Sequence, residues 1–167
     1  MVIAKTVLLE MIKNGKIKVT PLKSDQIGPG SIDLSLSNEF RRYEPKHVVI
    51  PVSENSDYKK YTKKFKANEI ILHPGEFMLG ITKEKIKLPE NICGWLQGRS
   101  RFARLGLTIH ITASFVQPGS ENRQVLEMIN LCPHPLRIKA GERIVQLILD
   151  RTEGKGKLTG KFKNQVL

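Results

Sequence analysis

Three arginines and one serine fall within six residues, Arg99-Ser100-Arg101-Phe102-Ala103-Arg104, directly after the apolar strand-like run Ile92, Gly94, Trp95, Leu96. Guanidinium groups cannot be buried together without anions, because each unpaired buried charge costs several kcal/mol. The cluster therefore belongs on a solvated surface or against a polyanionic ligand. Downstream, Glu127 interrupts the apolar run Val125-Leu126-Glu127-Met128-Ile129. A carboxylate inside a strand-like segment needs a reason. Together the two features point to a phosphate-binding site with an acid/base group close by.

Short strands must position these groups. From Glu69 onward, apolar stretches alternate with turn signals: Ile70-Ile71-Leu72 before His73-Pro74-Gly75, Phe77–Ile81 before Leu88-Pro89, and Leu107–Ala113 before Gln117-Pro118-Gly119. Gln124–Asn130, Leu136–Ile138 and Ile144–Leu149 continue the series. Strands at ~8–12-residue spacing with Pro/Gly turns indicate an all-β sandwich or barrel. Upstream, Thr6–Lys13 carries Val7, Leu8, Met11 and Ile12 at helical spacing, with Asn14-Gly15 as a stop. Ile17–Thr20 alternates, Ser31–Leu36 reads as a half-buried strand, and Val48–Val52 as a short extended run held by Pro45 and Pro51. Phe102–Leu105 adds a short helical turn.

A length of 167 residues suits one domain with a hydrophobic core, and 40% apolar content argues against disorder. No apolar run approaches the ~18 residues that span a bilayer, and Met1–Lys5 lacks a signal-peptide layout; a soluble cytoplasmic protein is the expectation. Two cysteines, Cys93 and Cys132, are expected as reduced thiols. The net charge of +12 suits nucleic acid or a highly phosphorylated small ligand. The lysines at 59, 60, 63, 64 and 66 also read as a solvated surface, and aromatic residues for stacking bases are few.

The motifs go further when taken in order. Gly98-Arg99-Ser100-x-x-Ala103-Arg104-Leu105-Gly106-Leu107, Thr112-Ala113, Pro118-Gly119 and Leu126-Glu127 resemble the dCTP deaminase branch of the dUTPase-like superfamily. Pro29-x-Ser31-x-Asp33-Leu34, Pro74-Gly75-Glu76-Phe77, Ala140-Gly141-x-Arg143-Ile144 and the tail Lys161–Gln165 also match, while 45–68 matches least. The resemblance implies a mainly β, distorted β-barrel (β-clip) subunit with a short N-terminal helix, one domain over 1–167. It also implies a homotrimer with active sites at subunit interfaces and a mobile C-terminal lid at 155–167. The expected reaction is zinc-independent hydrolytic deamination of dCTP to dUTP, with Mg²⁺ carried by the triphosphate and no membrane or specific nucleic acid as partner.

Glu127 matches the family's proton-shuttling glutamate. By residue alone it reads equally as a strand glutamate facing solvent, since Val125 and Glu127 share one face. Ser100 and the Ala113 carbonyl match the groups that hold the water; alone, Ser100 reads as a helix cap. Arg104 matches the arginine that assists the reacting centre. The resemblance assigns substrate contacts to Arg99, Arg101, Phe102, Ala103, Gln117, Val125 and Leu126, and lid contacts to Lys161 and Gln165. His110, on the strand before Ala113, reads as an imidazole making a structural hydrogen bond. The chain also departs from the family pattern. Gln117 stands where an aspartate is usual, Arg101 where a second serine is usual, Gly154 where a lid aromatic is usual, and Ser120-Glu121-Asn122 where an aromatic-glycine pattern is usual. An amide at 117 cannot act as a base, which counts against the runner-up activity, dUTP diphosphatase alone or coupled to deamination. A catalytically inactive nucleotide- or nucleic-acid-binding module is the third reading.

Overall fold

A computed structural model of the chain describes residues 1–44, 48–158 and 167. Helix α1, Lys5–Lys13, buries Leu8 and Met11 on one face and ends at Asn14, whose N–H returns to the Glu10 carbonyl. Gly15 follows at φ +69°, in the left-handed region that glycine enters without steric cost, as the Asn-Gly stop predicts.

Eleven strands follow among the described residues: β1 (Lys18–Thr20), β2 (Ile32–Tyr43), β3 (Thr62–Lys66), β4 (Glu69–Leu72), β5 (Phe77–Lys87), β6 (Ile92–Gly98), β7 (Leu107–Ile109), β8 (Phe115–Val116), β9 (Glu121–Asn130), β10 (Leu136–Lys139) and β11 (Arg143–Arg151). A second helix, α2, spans Ser100–Ala103 between β6 and β7. The main sheet runs β7-β9-β5-β2-β11-β6-β8, with β1 also on β5 and β3 also on β2, while β4 and β10 form a separate pair. All of these pairings are antiparallel.

The sheet curls because its long strands carry irregularities. Register shifts between Leu36 and Phe40 of β2 and between Ile81 and Lys85 of β5 bend the ladder and increase its twist. Backbone groups left unpaired there meet side chains. Glu84, 2% exposed, accepts from Ser35 N (2.8 Å) and Gln26 Nε2 (2.9 Å). Thr82 Oγ1 donates to Glu84 O and accepts from Gln124 N. The curl brings β7 towards the end of β6, where a Cβ on Gly98 would lie 3.9 Å from Ile109. A mainly β, half-barrel sheet is the result, as the strand spacing predicted. One core lies inside it, joining Leu8 of α1, Leu34, Leu36 and Phe40 of β2, Leu72 of β4, Met128 of β9, Ile138 of β10 and Leu147 of β11.

Two local expectations need correction. The half-buried alternation expected over Ser31–Leu36 holds through Leu34, with Asp33 half-buried between buried Ile32 and Leu34, but Ser35 is buried as well, only 8% exposed. The 48–52 segment lies outside regular secondary structure, with Val49 and Val52 almost fully exposed. The strand expected over Leu107–Ala113 stops at Ile109, because His110 turns into the left-handed region (φ +55°).

Candidate active site

The arginine motif folds as a strand end followed by one helical turn. Arg99 is extended (φ −80°, ψ 134°) and Ser100 begins α2, with Arg104 N–H bonded to the Ser100 carbonyl at 3.0 Å. Ser100 is therefore inside the helix, not its cap; the N-cap is Arg99, whose side chain makes no capping hydrogen bond. Gly106 ends the turn at φ +85°, and a Cβ there would lie 2.5 Å from Cys132 Cβ. Only glycine allows that backbone approach, which ties the arginine segment to the loop after β9.

Phe102 packs against the core and holds α2 down. Ser100, Arg101, Ala103 and Arg104 are exposed. Arg99, Arg101 and Phe102 line a polar cleft of about 490 Å³ with Gly141, Glu142 and Arg143. Within it Arg99 Nη1 donates to the Arg143 carbonyl (2.8 Å) and Nη2 meets Asp33 Oδ2 (2.9 Å). Burial raises the Asp33 carboxyl above its usual range, against the pull of Arg99, Arg143 and Arg101.

Glu127 lies on β9, whose burial alternates strictly, so Leu126 and Met128 enter the core while Val125 and Glu127 stay half-buried on the other face. Opposite Glu127 and Val125 stand Leu79 and Ile81 of β5. Leu167 packs on Leu79 and Ile81, with Val125 at the margin of this second cluster. The Glu127 carboxylate has no hydrogen-bond or ion-pair partner among the described residues. Its backbone carbonyl accepts from His110 N–H at 2.9 Å. Contrary to the structural hydrogen bond expected of it, the His110 ring buries both nitrogens with no partner among the described residues, and this burial lowers its pKa to about 4.

Ala113 is exposed in the loop between β7 and β8, and its carbonyl accepts no hydrogen bond among the described residues. Gln117 is exposed beside the Pro118-Gly119 turn, where its carbonyl accepts from Ser120 Oγ at 2.6 Å. Residues 155–158 pass the same turn: Gly156 N–H bonds Glu90 O and Leu158 N–H bonds Pro118 O. Lys161 and Gln165 lie outside the described residues.

The arginine cleft and the Glu127 face each contain predicted residues, but no hydrogen bond or ion pair among the described residues joins the Glu127 side chain to Ser100 or Arg104. Sequence reasoning did not single out Asp33, Asp25 and Arg143 as site residues. Asp33 carried the same signal as Glu127, a carboxylate inside an alternating run, Ile32-Asp33-Leu34. Cys93 and Cys132 are separate free thiols. Among the described residues no group of three or more His, Cys, Asp or Glu side chains is gathered to hold a metal, and no helix is long and apolar enough to cross a membrane.

Comparison with known proteins shows the family. A family model described as dCTP deaminase-like matches residues 2–152. A protein of Methanosphaerula palustris named "dCTP deaminase, dUMP-forming" is 35% identical over 153 residues, 92% of this chain and 82% of that protein. A "dCTP deaminase" of Haloarcula marismortui is 36% identical over 153 residues, 88% of this chain and 78% of its own. The fold resembles the 2'-deoxycytidine 5'-triphosphate deaminase of Agrobacterium tumefaciens (TM-score 0.70, 18% identity), covering 90% of this chain but about half, 48%, of that one. It also resembles the dUTPase of phage phi11 of S. aureus (TM-score 0.51, 14% identity, 88% and 98% covered), a fold-level likeness only. A family match over most of the chain, with relatives above one-third identity across most of their own length, identifies the chain as a member of the dCTP deaminase-like family.

Proposed function

We propose that this protein is a hydrolase that deaminates dCTP: water adds to C4 of the cytosine and the 4-amino group leaves as ammonia, giving dUTP. The observation that carries the reading is Glu127, a half-buried carboxylate without a partner among the described residues, on a β-face beside the apolar Leu79, Val125 and Ile81. A carboxylate so placed takes one proton from the attacking water and passes it to the ring N3, then takes the second from the new C4 hydroxyl and delivers it to the departing amine. Ser100 and the Ala113 carbonyl hold the water, both exposed and the carbonyl uncommitted among the described residues. Arg104 stabilises negative charge as it develops at the reacting centre. The cationic cleft takes the triphosphate, and Mg²⁺ enters with the substrate on the phosphate oxygens. Phe102, Ala103, Val125 and Leu126 shape the base and sugar pocket, with Gln117 towards the sugar and Lys161 and Gln165 from the tail on the phosphates.

The protein acts as a homotrimer in which a neighbour completes each active site, as the family resemblance implies. Exposed Trp95 and Phe115, whose rings sit 4.8 Å apart, together with Ile111, supply apolar surface for such contacts. A cytoplasmic location suits a nucleotide enzyme with free thiols. The test is incubation with dCTP and Mg²⁺ followed by chromatographic separation of nucleotides. Ammonia and dUTP or dUMP are expected, and intact dCTP after prolonged incubation with correctly assembled protein sinks the reading.

A second reading, deamination coupled to pyrophosphate release, is favoured by the "dUMP-forming" names of several relatives. Gln117 opposes it, because an amide cannot activate the water for that step. The same chromatogram separates the two: dUTP accumulating without pyrophosphate supports deamination alone, and pyrophosphate released as fast as ammonia supports the coupled reaction.

A further inference from the structure

The three guanidinium groups lining the cleft are not equivalent. Arg143 is committed to Asp25, with Nη2 on Oδ2 and Nη1 on the backbone carbonyl, both at 2.6 Å. Arg99 is committed twice, to the Arg143 carbonyl and to Asp33. Arg101 has no hydrogen-bond or ion-pair partner among the described residues. Asp33 is itself fixed from behind. Gln26 Nε2 donates to the Asp33 carbonyl (2.8 Å) and to buried Glu84, which also takes the Ser35 N–H two residues along β2. The Asp33 and Arg99 side chains are 17% and 22% exposed, so water competes weakly for this pair.

We infer that Asp33 is a positioning residue that holds Arg99 in the cleft wall, leaving Arg101 as the guanidinium that meets the substrate's terminal phosphates and sets its preference for a triphosphate over a shorter phosphate tail. Arg99 and Arg143 are each neutralised by a neighbouring carboxylate, so their fields at a ligand are dipolar and fall steeply with distance. Arg101 keeps its full charge, and its attraction grows with the charge of the ligand. Its planar fork also matches two phosphate oxygens, which serine, usual at this position, cannot do. Glu142, exposed on the rim of the same cleft, opposes the anion.

The proposal rests on the nucleotide reading above, and its test separates the two. Sodium tripolyphosphate and orthophosphate are titrated calorimetrically, without Mg²⁺, into the wild-type protein and into Arg101→Ser, Arg101→Lys, Glu142→Gln and the double variant Arg101→Ser/Asp33→Asn. The wild type is expected to bind tripolyphosphate at least tenfold more tightly than orthophosphate. Arg101→Ser loses about tenfold for tripolyphosphate with little change for orthophosphate, Arg101→Lys recovers part of the loss, and Glu142→Gln binds more tightly. The double variant binds tripolyphosphate better than Arg101→Ser alone, because Arg99 Nη2 is released. Unchanged tripolyphosphate affinity in Arg101→Ser, or a folded double variant no tighter than the single one, overturns the assignment. If the double variant does not fold, the Ser and Lys substitutions decide it alone. A wild-type protein that shows this pattern yet converts no dCTP upholds the Arg101 assignment and defeats the deaminase reading.

Discussion

At the scale of single residues, the proposed chemistry turns on one carboxylate. Glu127→Gln preserves shape and hydrogen-bonding reach but cannot carry a proton. General acid–base catalysis by a positioned group is worth roughly 10²–10⁴-fold, so kcat should fall by about that factor while dCTP binding, measured by calorimetry, stays near wild type. A variant retaining more than a tenth of wild-type turnover would show that another group moves the proton. His110 makes a different prediction. Its ring nitrogens are buried without partners among the described residues, and burial lowers its pKa from the ordinary 6.5 to about 4. The fold therefore favours the neutral imidazole. The stability this contributes is fully present above pH 6.5 and is lost as pH falls through about 4, because the unfolded chain binds the proton first. The thermal midpoint should drop between pH 7 and pH 4.5, and less steeply in His110→Asn, which tolerates the left-handed backbone. Equal slopes in the two proteins would rule the imidazole out as the source.

Between secondary-structure elements, Glu39 acts as a clamp. It accepts from Lys64 of β3 (2.8 Å) and Arg123 of β9 (2.6 Å), hydrogen bonds that hold its pKa at about 2, well below 4.5. Here the sign gives a lower window than for His110: the stabilisation is present above pH 4.5 and disappears as pH falls through about 2. Glu39→Gln should cost about 1 kcal/mol at pH 7, since partial exposure screens the pair, and denaturant unfolding should find the difference gone near pH 2. The link between α2 and the loop after β9 is stricter. Gly106 combines a positive φ with contact distance to the Cys132 backbone, so Gly106→Ala should destabilise by more than ~1 kcal/mol. It should also weaken dCTP binding, because it shifts the turn that carries Arg104. A variant with wild-type thermal midpoint and KM would contradict this coupling.

For the whole molecule, the prediction concerns assembly. If each active site is shared between chains, as the family resemblance implies, the enzyme should be active only as an oligomer. Light scattering under assay conditions checks this: full dCTP turnover at the 18.9 kDa mass of one chain would contradict a shared site. Nucleotide with Mg²⁺ should raise the thermal midpoint by mass action, and the rise should be smaller in Arg101→Ser.

The sequence alone determined the class of the fold and the identity of the motif residues. The succession of strands and turns from Glu69 onward was readable because Pro and Gly punctuate a period-2 pattern whose causes are local, and α1 was readable from its 3.6-residue spacing and Asn-Gly stop; strand lengths were not, since β2 runs on to Tyr43 and β5 to Lys87. The arginine cluster and Glu127 stood out because charges in apolar surroundings cost free energy wherever they fall. What the sequence could not determine was which charges meet. Asp33 and Arg99 are far apart in the chain, as are Arg143 and Asp25, and only the pairing of β2 with β11 and of β11 with β6 brings them to one cleft. The same holds for the burial of Ser35 and Ser37, which depends on what the folded sheet packs over them, and for the end of β7, which one positive φ at His110 decides. These are tertiary outcomes because a side chain's neighbours across a sheet follow from register, and register is set by the packing of the whole core.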